Sequence, residues 1–187
     1  GNSSRFKSNL AKPYHKIGGK TLLEIILKKT SNFKQIKKTI VIYNKKQLRI
    51  LKKLGLKNIK LIEGGSSRQE STLKALNHLH KQGGISKVLI HDVARPNFSK
   101  ELLNKIIKHA KKFKAVIPTL KIQDAIKQKY ANSKFEYFVC KDRNDLFLTQ
   151  TPQCFNFKEI YNLHKNNKEK YHDDDLSLLM DLNNVKF

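Results

Sequence analysis

Apolar positions along this chain alternate between two rhythms. From Thr21 to Lys29, Leu22, Ile25 and Ile26 fall at helical spacing, whereas Thr39-Ile40-Val41-Ile42-Tyr43 is a short continuous apolar run of the kind a buried strand needs. Lys45 to Leu54 reads as a helix stopped by Gly55, and Ile59 to Ile62 as a strand ended by Gly64-Gly65. Arg68 to Gln82 is helical with Leu73, Leu76 and Leu79 on one face, and Val88-Leu89-Ile90 is another strand. Glu101 to Lys111 turns Leu102, Leu103, Ile106, Ile107 and Ala110 inward, and Ala115-Val116-Ile117 is a strand closed by Pro118. Such alternation predicts an α/β fold: a Rossmann-like, mostly parallel sheet with helices on both faces. The rhythm breaks between about 123 and 148. There β-prone pieces such as Phe135-Glu136-Tyr137-Phe138-Val139 surround a polar turn at Ala131-Asn132-Ser133, as in a projecting hairpin arm. Helices are expected near Lys158 to Lys165 and Asp174 to Leu182.

Length and composition narrow the class. The 187 residues suit one domain with a core of its own, and 39% hydrophobic residues is ordinary for a globular protein. The two cysteines, Cys140 and Cys154, form no CxxC pair, so a disulfide framework is not expected and a reducing cytoplasm fits. No apolar run approaches the roughly 20 residues of a membrane helix, and no signal peptide opens the chain. The formal net charge of +24 invites a nucleic-acid partner. The lysines are nevertheless spread along the whole chain, with no basic stripe, aromatic interleaving or nucleic-acid-binding signature, which favours compositional drift. A basic surface also steers small phosphorylated substrates.

In open α/β sheets ligands sit beyond the carboxyl ends of the strands, so the segments there carry the candidate chemistry. Gly1-Asn2-Ser3-Ser4-Arg5, with Lys12 shortly after, has small residues that let backbone N–H groups approach phosphates and cations that neutralise developing charge, although it does not match GxxxxGK[ST]. Gly64-Gly65-Ser66-Ser67-Arg68-Gln69-Glu70-Ser71 joins a strand to a helix; its glycines permit positive φ and close approach, and Ser66 or Ser67 is a candidate N-cap. His91-Asp92-Val93-Ala94-Arg95-Pro96 follows a strand directly. Asp92 suits a ribose hydroxyl, a metal or a substrate hydroxyl, or else a local ion pair with Arg95, while His91 reads as a packed histidine. Arg143 to Gln153 supplies an arginine and the Thr151-Pro152-Gln153 turn.

In this order the segments resemble the 2-C-methyl-D-erythritol 4-phosphate cytidylyltransferase family. The matching stretches are Ala11-Lys12-Pro13-Tyr14, Gly64 to Ser71, His91 to Pro96, Asp124-Ala125-Ile126-Lys127, Asp142-Arg143, Thr151-Pro152-Gln153 and Asp173-Asp174-Asp175. The resemblance implies a cytidylyl transfer from CTP to 2-C-methyl-D-erythritol 4-phosphate, giving 4-diphosphocytidyl-2-C-methyl-D-erythritol and pyrophosphate, with Mg²⁺ or another divalent cation held mainly by the CTP phosphates. It implies that Arg5 and Lys12 contact the triphosphate, that Gly1 cradles it, and that Gly65, Ser66, Arg68 and Ser71 hold the cytosine and its surroundings. Asp92 and Arg95 would bridge nucleotide and acceptor; Arg143, on the arm, would reach the acceptor phosphate across a homodimer interface, and Thr151 would line the same pocket. It further implies a first strand before Gly1 and a closing segment after Phe187.

Ala125 stands where the family has Thr, and Asp173 where it has Thr before an acidic pair. Both departures lie on the acceptor side, so the CTP half matches more closely. They keep open a related cytidylyltransferase acting on another polyol phosphate such as ribitol 5-phosphate. A catalytically silent or nucleic-acid-binding relative is the reading that the charge alone would favour.

Overall fold

The computed structural model describes residues 10–131, 136–167, 174–179 and 184–187. In chain order its elements are β1 (Lys16–Ile17), β2 (Lys20–Thr21), α1 (Leu22–Ser31), β3 (Ile40–Tyr43), α2 (Leu48–Lys53), β4 (Lys60–Glu63), α3 (Arg68–Gln82), β5 (Lys87–Ile90), α4 (Lys100–His109), β6 (Ala115–Val116), β7 (Thr119–Lys121), β8 (Ile126–Ala131), β9 (Glu136–Lys141), β10 (Phe147–Thr149), β11 (Gln153–Asn156), α5 (Phe157–Asn166) and β12 (Val185–Lys186). Short 3₁₀ turns cover Lys12–Tyr14, Lys45–Gln47 and Leu176–Leu178.

Local chemistry explains where the helices begin. Thr21 caps α1 in a reciprocal box with Glu24, while Ser67, Ser99 and Asn156 cap α3, α4 and α5 through a backbone N–H of the first turn. The expected helix over 45–54 begins instead as a 3₁₀ turn, because the Asn44 side chain takes the Lys46 N–H and tightens that first turn.

The α/β class holds, but the sheet is mixed rather than mostly parallel. β3 pairs in parallel with β4, as expected. The second sheet has the order β12-β6-β11-β5, with β11 antiparallel to both neighbours and β12 parallel to β6. The physical cause is the arm. β8 and β9 form an antiparallel ladder from Ile126↔Lys141 to Ala131↔Glu136, and β7 and β10 close its base. The chain therefore returns along the path it left by and enters the sheet as β11, between strands that precede the arm. The arm's expected turn at 132–133 lies outside the described residues, as does Phe135. Of the helix expected over 174–182, residues 174–179 are described and hold only the 3₁₀ turn Leu176–Leu178, after which Leu179 is extended.

Alternation along β11 sends Phe155 and Cys154 to opposite faces. Phe155 joins Leu76 and Leu79 of α3 and Phe157, Ile160 and Tyr161 of α5. Cys154 joins Ile106 and Ala110 at the α4 end. Helices thus cover both faces. Removing Phe155 from water alone is worth about 2–3 kcal/mol, and its neighbour Ile160 is also fully buried.

Candidate functional site

The site begins in the loop from β4 to α3. Gly65 N donates to Ser71 Oγ at 2.9 Å, while Ser66 N and Ser66 Oγ both donate to Glu70 Oε2 at 2.7 and 2.8 Å. Ser67, rather than Ser66, is the N-cap, its Oγ accepting from Glu70 N at 3.0 Å. Neither Gly64 nor Gly65 uses a positive φ. Gly65 is needed for proximity instead: a Cβ there would fall 2.2 Å from Glu70 Cδ. The capping bonds hold the Glu70 carboxyl below its usual range, by hydrogen bonds from Ser66 first.

Arg68, in the first turn of α3, reaches two carboxylates. Its Nη2 donates to Asp175 Oδ2 at 2.6 Å, and its Nε lies 3.8 Å from Asp92 Oδ1. Arg95 Nε approaches the other oxygen of Asp92 at 3.7 Å, and Arg95 Nη1 also donates to Gln150 Oε1. The local Asp92–Arg95 pair is therefore real, and Arg68 joins it. The Asp92 side chain is 42% exposed, whereas that of Asp175 is fully buried. Burial pushes Asp175 upward, but the hydrogen bonds from His164 and Arg68 outweigh it and keep the carboxyl below its ordinary value.

Thr151 proves to be a support for the loop after β5. Its hydroxyl is buried, hydrogen-bonds His91 Nδ1 at 2.9 Å and accepts from Asp92 N at 3.2 Å. His91 packs edge-on against Phe98, the packed histidine expected from the sequence. Desolvation is the largest influence on His91 and lowers its pKa to about 4, so it is neutral at pH 7. Lys29 pins the far end of the same loop, donating to the carbonyls of Pro96 at 2.6 Å and Phe98 at 3.0 Å.

Lys12 opens the 3₁₀ turn at 12–14 and is half-buried. Its neighbours Ala11 and Tyr14 pack in one cluster with Leu23, Val41 and Leu51, and Val93 of the Asp92 loop packs on that cluster too. Arg143 stands apart, in the turn from β9 to β10, exposed and donating to the Gln123 carbonyl at the base of the arm. Gly1, Arg5 and Asp173 lie outside the described residues.

Asp173-Asp174-Asp175 is among the segments that match in sequence, but Asp174, Asp175, His164 and Gln153 carry no role legible there. Asp175 Oδ1 accepts from His164 Nε2 at 3.0 Å, and Asp174 Oδ2 accepts from Gln153 Nε2 at 3.0 Å. Gln153 and Asp175 are each 1% exposed. The available signal was an acidic run in a chain with 15 acidic against 39 basic residues. Nothing local says that such a run turns inward.

The arrangement offers a tight backbone loop, a buried-anchored arginine, an accessible carboxylate between two arginines, and separate cations at Lys12 and Arg143. That suits binding of phosphorylated molecules and stabilisation of phosphoryl charge.

Comparison with known proteins identifies the family. Residues 1–184 match the family model described as IspD, 2-C-methyl-D-erythritol 4-phosphate cytidylyltransferase. The bifunctional enzyme IspD/IspF of Pelagibacter ubique is 41% identical over 174 residues, covering 93% of this chain and 46% of that protein, so the chain spans about half the length of this relative. The 2-C-methyl-D-erythritol 4-phosphate cytidylyltransferase of Clostridium beijerinckii is 35% identical over 178 residues, covering 91% of this chain and 75% of its own length. The crystal structure of 4-diphosphocytidyl-2C-methyl-D-erythritol synthase from Anaerococcus prevotii superposes with a TM-score of 0.78 at 32% identity, covering 95% of this chain and 80% of that one.

Proposed function

Because the chain belongs to the 2-C-methyl-D-erythritol 4-phosphate cytidylyltransferase family, we propose that it joins CTP to 2-C-methyl-D-erythritol 4-phosphate, giving 4-diphosphocytidyl-2-C-methyl-D-erythritol and pyrophosphate. The observation that carries this reading is the meeting of Arg68, Asp92 and Arg95 beside the Gly64-Gly65 loop, with Arg68 bound to the buried Asp175.

An oxygen of the acceptor phosphate attacks the α-phosphorus of CTP in line. The new P–O bond forms as the bond from the α-phosphorus to its bridging oxygen breaks, and that oxygen leaves with its electron pair on pyrophosphate. No covalent enzyme intermediate is needed. Lys12 and Arg5 neutralise the triphosphate, while Gly65, Ser66, Arg68 and Ser71 receive the nucleoside end. Asp92 and Arg95 lie between the substrates, and Arg143 reaches the acceptor phosphate across a homodimer interface. The arm supports that assembly with exposed Leu120, Phe138, Phe147 and Leu148, more apolar surface than a solvated hairpin needs.

A divalent cation such as Mg²⁺ fits this donor set. Asp174 and Asp175 are engaged internally and both oxygens of Asp92 face arginines, so the cation would be held mainly by the CTP phosphates and water, with the half-exposed Asp92 carboxylate beside it. When bound, the cation neutralises triphosphate charge. A cytoplasmic location accords with this chemistry, and among the described residues no helix is long and apolar enough to cross a membrane.

The test is pyrophosphate release by the full chain with CTP, Mg²⁺ and 2-C-methyl-D-erythritol 4-phosphate, run beside ribitol 5-phosphate. Release only with the first acceptor is expected. Release only with ribitol 5-phosphate would replace the acceptor, and Ala125, exposed at the foot of the arm, favours that second reading.

A further inference from the structure

Asp175 and Arg68 are 107 positions apart in sequence, yet 2.6 Å separates their side chains. The Asp175 carboxylate is fully buried, and its second oxygen is taken by His164 of α5, itself buried. A buried charge is costly unless paired and hydrogen-bonded, and here both requirements are met from two different elements. Arg68 leaves its Nε toward Asp92, and its buried Nη1 has no partner among the described residues. One end of the guanidinium is thus anchored, while the other retains donors to spend.

We infer that Asp175 is a positioning residue for the nucleotide side of the site, orienting the Arg68 guanidinium before substrate arrives. The idea rests on the cytidylyltransferase reading insofar as Arg68 is assigned to CTP. Pre-orientation matters because an arginine side chain is rich in rotamers, and freezing it during binding costs affinity. The adjacent Asp174 makes no such contact with Arg68: it accepts from Gln153 Nε2 at 3.0 Å and from Ser177. The consequence is selectivity between substrates. Loss of the Asp175 carboxylate weakens CTP binding and leaves acceptor KM nearly unchanged.

The experiment pairs calorimetric CTP titration with NMR of the arginine-¹⁵N-labelled full chain, Arg68 being assigned by the signal lost in Arg68→Lys. In the free wild-type chain, Arg68 is expected to show separate Nη proton resonances, slow to average. Asp175→Asn is expected to lower CTP affinity at least tenfold with acceptor KM within twofold, and to add nothing in an Arg68→Ala background. Averaged Arg68 signals in the wild type overturn the inference, as does unchanged CTP affinity in a folded Asp175→Asn or a further loss in the Arg68→Ala background. If Asp175→Asn fails to fold, the wild-type spectrum decides alone. A wild type with slow Arg68 resonances that binds no CTP would refute the nucleotide assignment and leave the anchoring intact; rapid averaging with normal CTP binding would do the reverse.

Discussion

Arg68 and Arg143 are both arginines of the proposed site, and the protein holds them by opposite means. Arg68 leans on a carboxylate removed entirely from water, which is itself tied to a buried histidine. Arg143 sits exposed at the turn of the arm and touches a backbone carbonyl. The first arrangement contributes to folding, because breaking it leaves uncompensated buried charge. The second contributes little to folding, since surface polar contacts are screened and flexible. Arg68 is therefore fixed inside the domain, while Arg143 is held at the surface of the arm.

The largest expected effect breaks the inner half. Asp175→Ala leaves both Arg68 and His164 without their buried partner and should cost about 3–5 kcal/mol in urea unfolding. A loss under 1 kcal/mol would mean the pair is much more solvated than its geometry indicates. Arg143→Ala should do the converse, lowering kcat/KM by roughly 10²–10³ while stability stays within about 0.5 kcal/mol. An inactive but also unstable Arg143→Ala would erase the contrast between the two halves.

Acidification should separate the halves more gently. His91 titrates at about 4 in the folded chain, below the ordinary histidine value, so the unfolded chain takes up the proton first. The stability due to neutral His91 is fully present above pH ~6.5 and declines as pH falls toward 4. The loss between pH 7 and 5 should be on the order of 1 kcal/mol, allowing for solvent screening. His91→Gln should flatten that part of the stability profile. Gly65→Ala is the mildest change. Its Cβ would displace the Glu70 side chain from Ser66, with a loss of about 1 kcal/mol, typical of helix capping, and a measurable rise in the KM for CTP.

The legible parts of the fold were those set by short-range chemistry. The span of α3 was read to the residue, Arg68 to Gln82, because helical spacing and a serine cap bound it at one end and glycine at the other. The arm was legible as a break in rhythm. β11 was not, since four residues with polar ends, Gln153 and Asn156, resemble a loop until strands on both sides satisfy them. The family resemblance implies a pocket role for Thr151, whereas its hydroxyl bonds the backbone of Asp92 and the ring of His91.

The sequence by itself therefore determined the α/β class, the order of most elements, and the loops at the strand ends where Gly65, Arg68, Asp92 and Arg95 lie. Hydrophobic period, caps and glycines act over a few residues, so their message survives without a structure. Only the tertiary structure decided that β11 runs antiparallel between β5 and β6, and that Asp175 turns inward beneath Arg68. Both depend on partners distant along the chain: a buried strand needs neighbours for its backbone groups, and a buried carboxylate is tolerable only where folding has brought its donors to it.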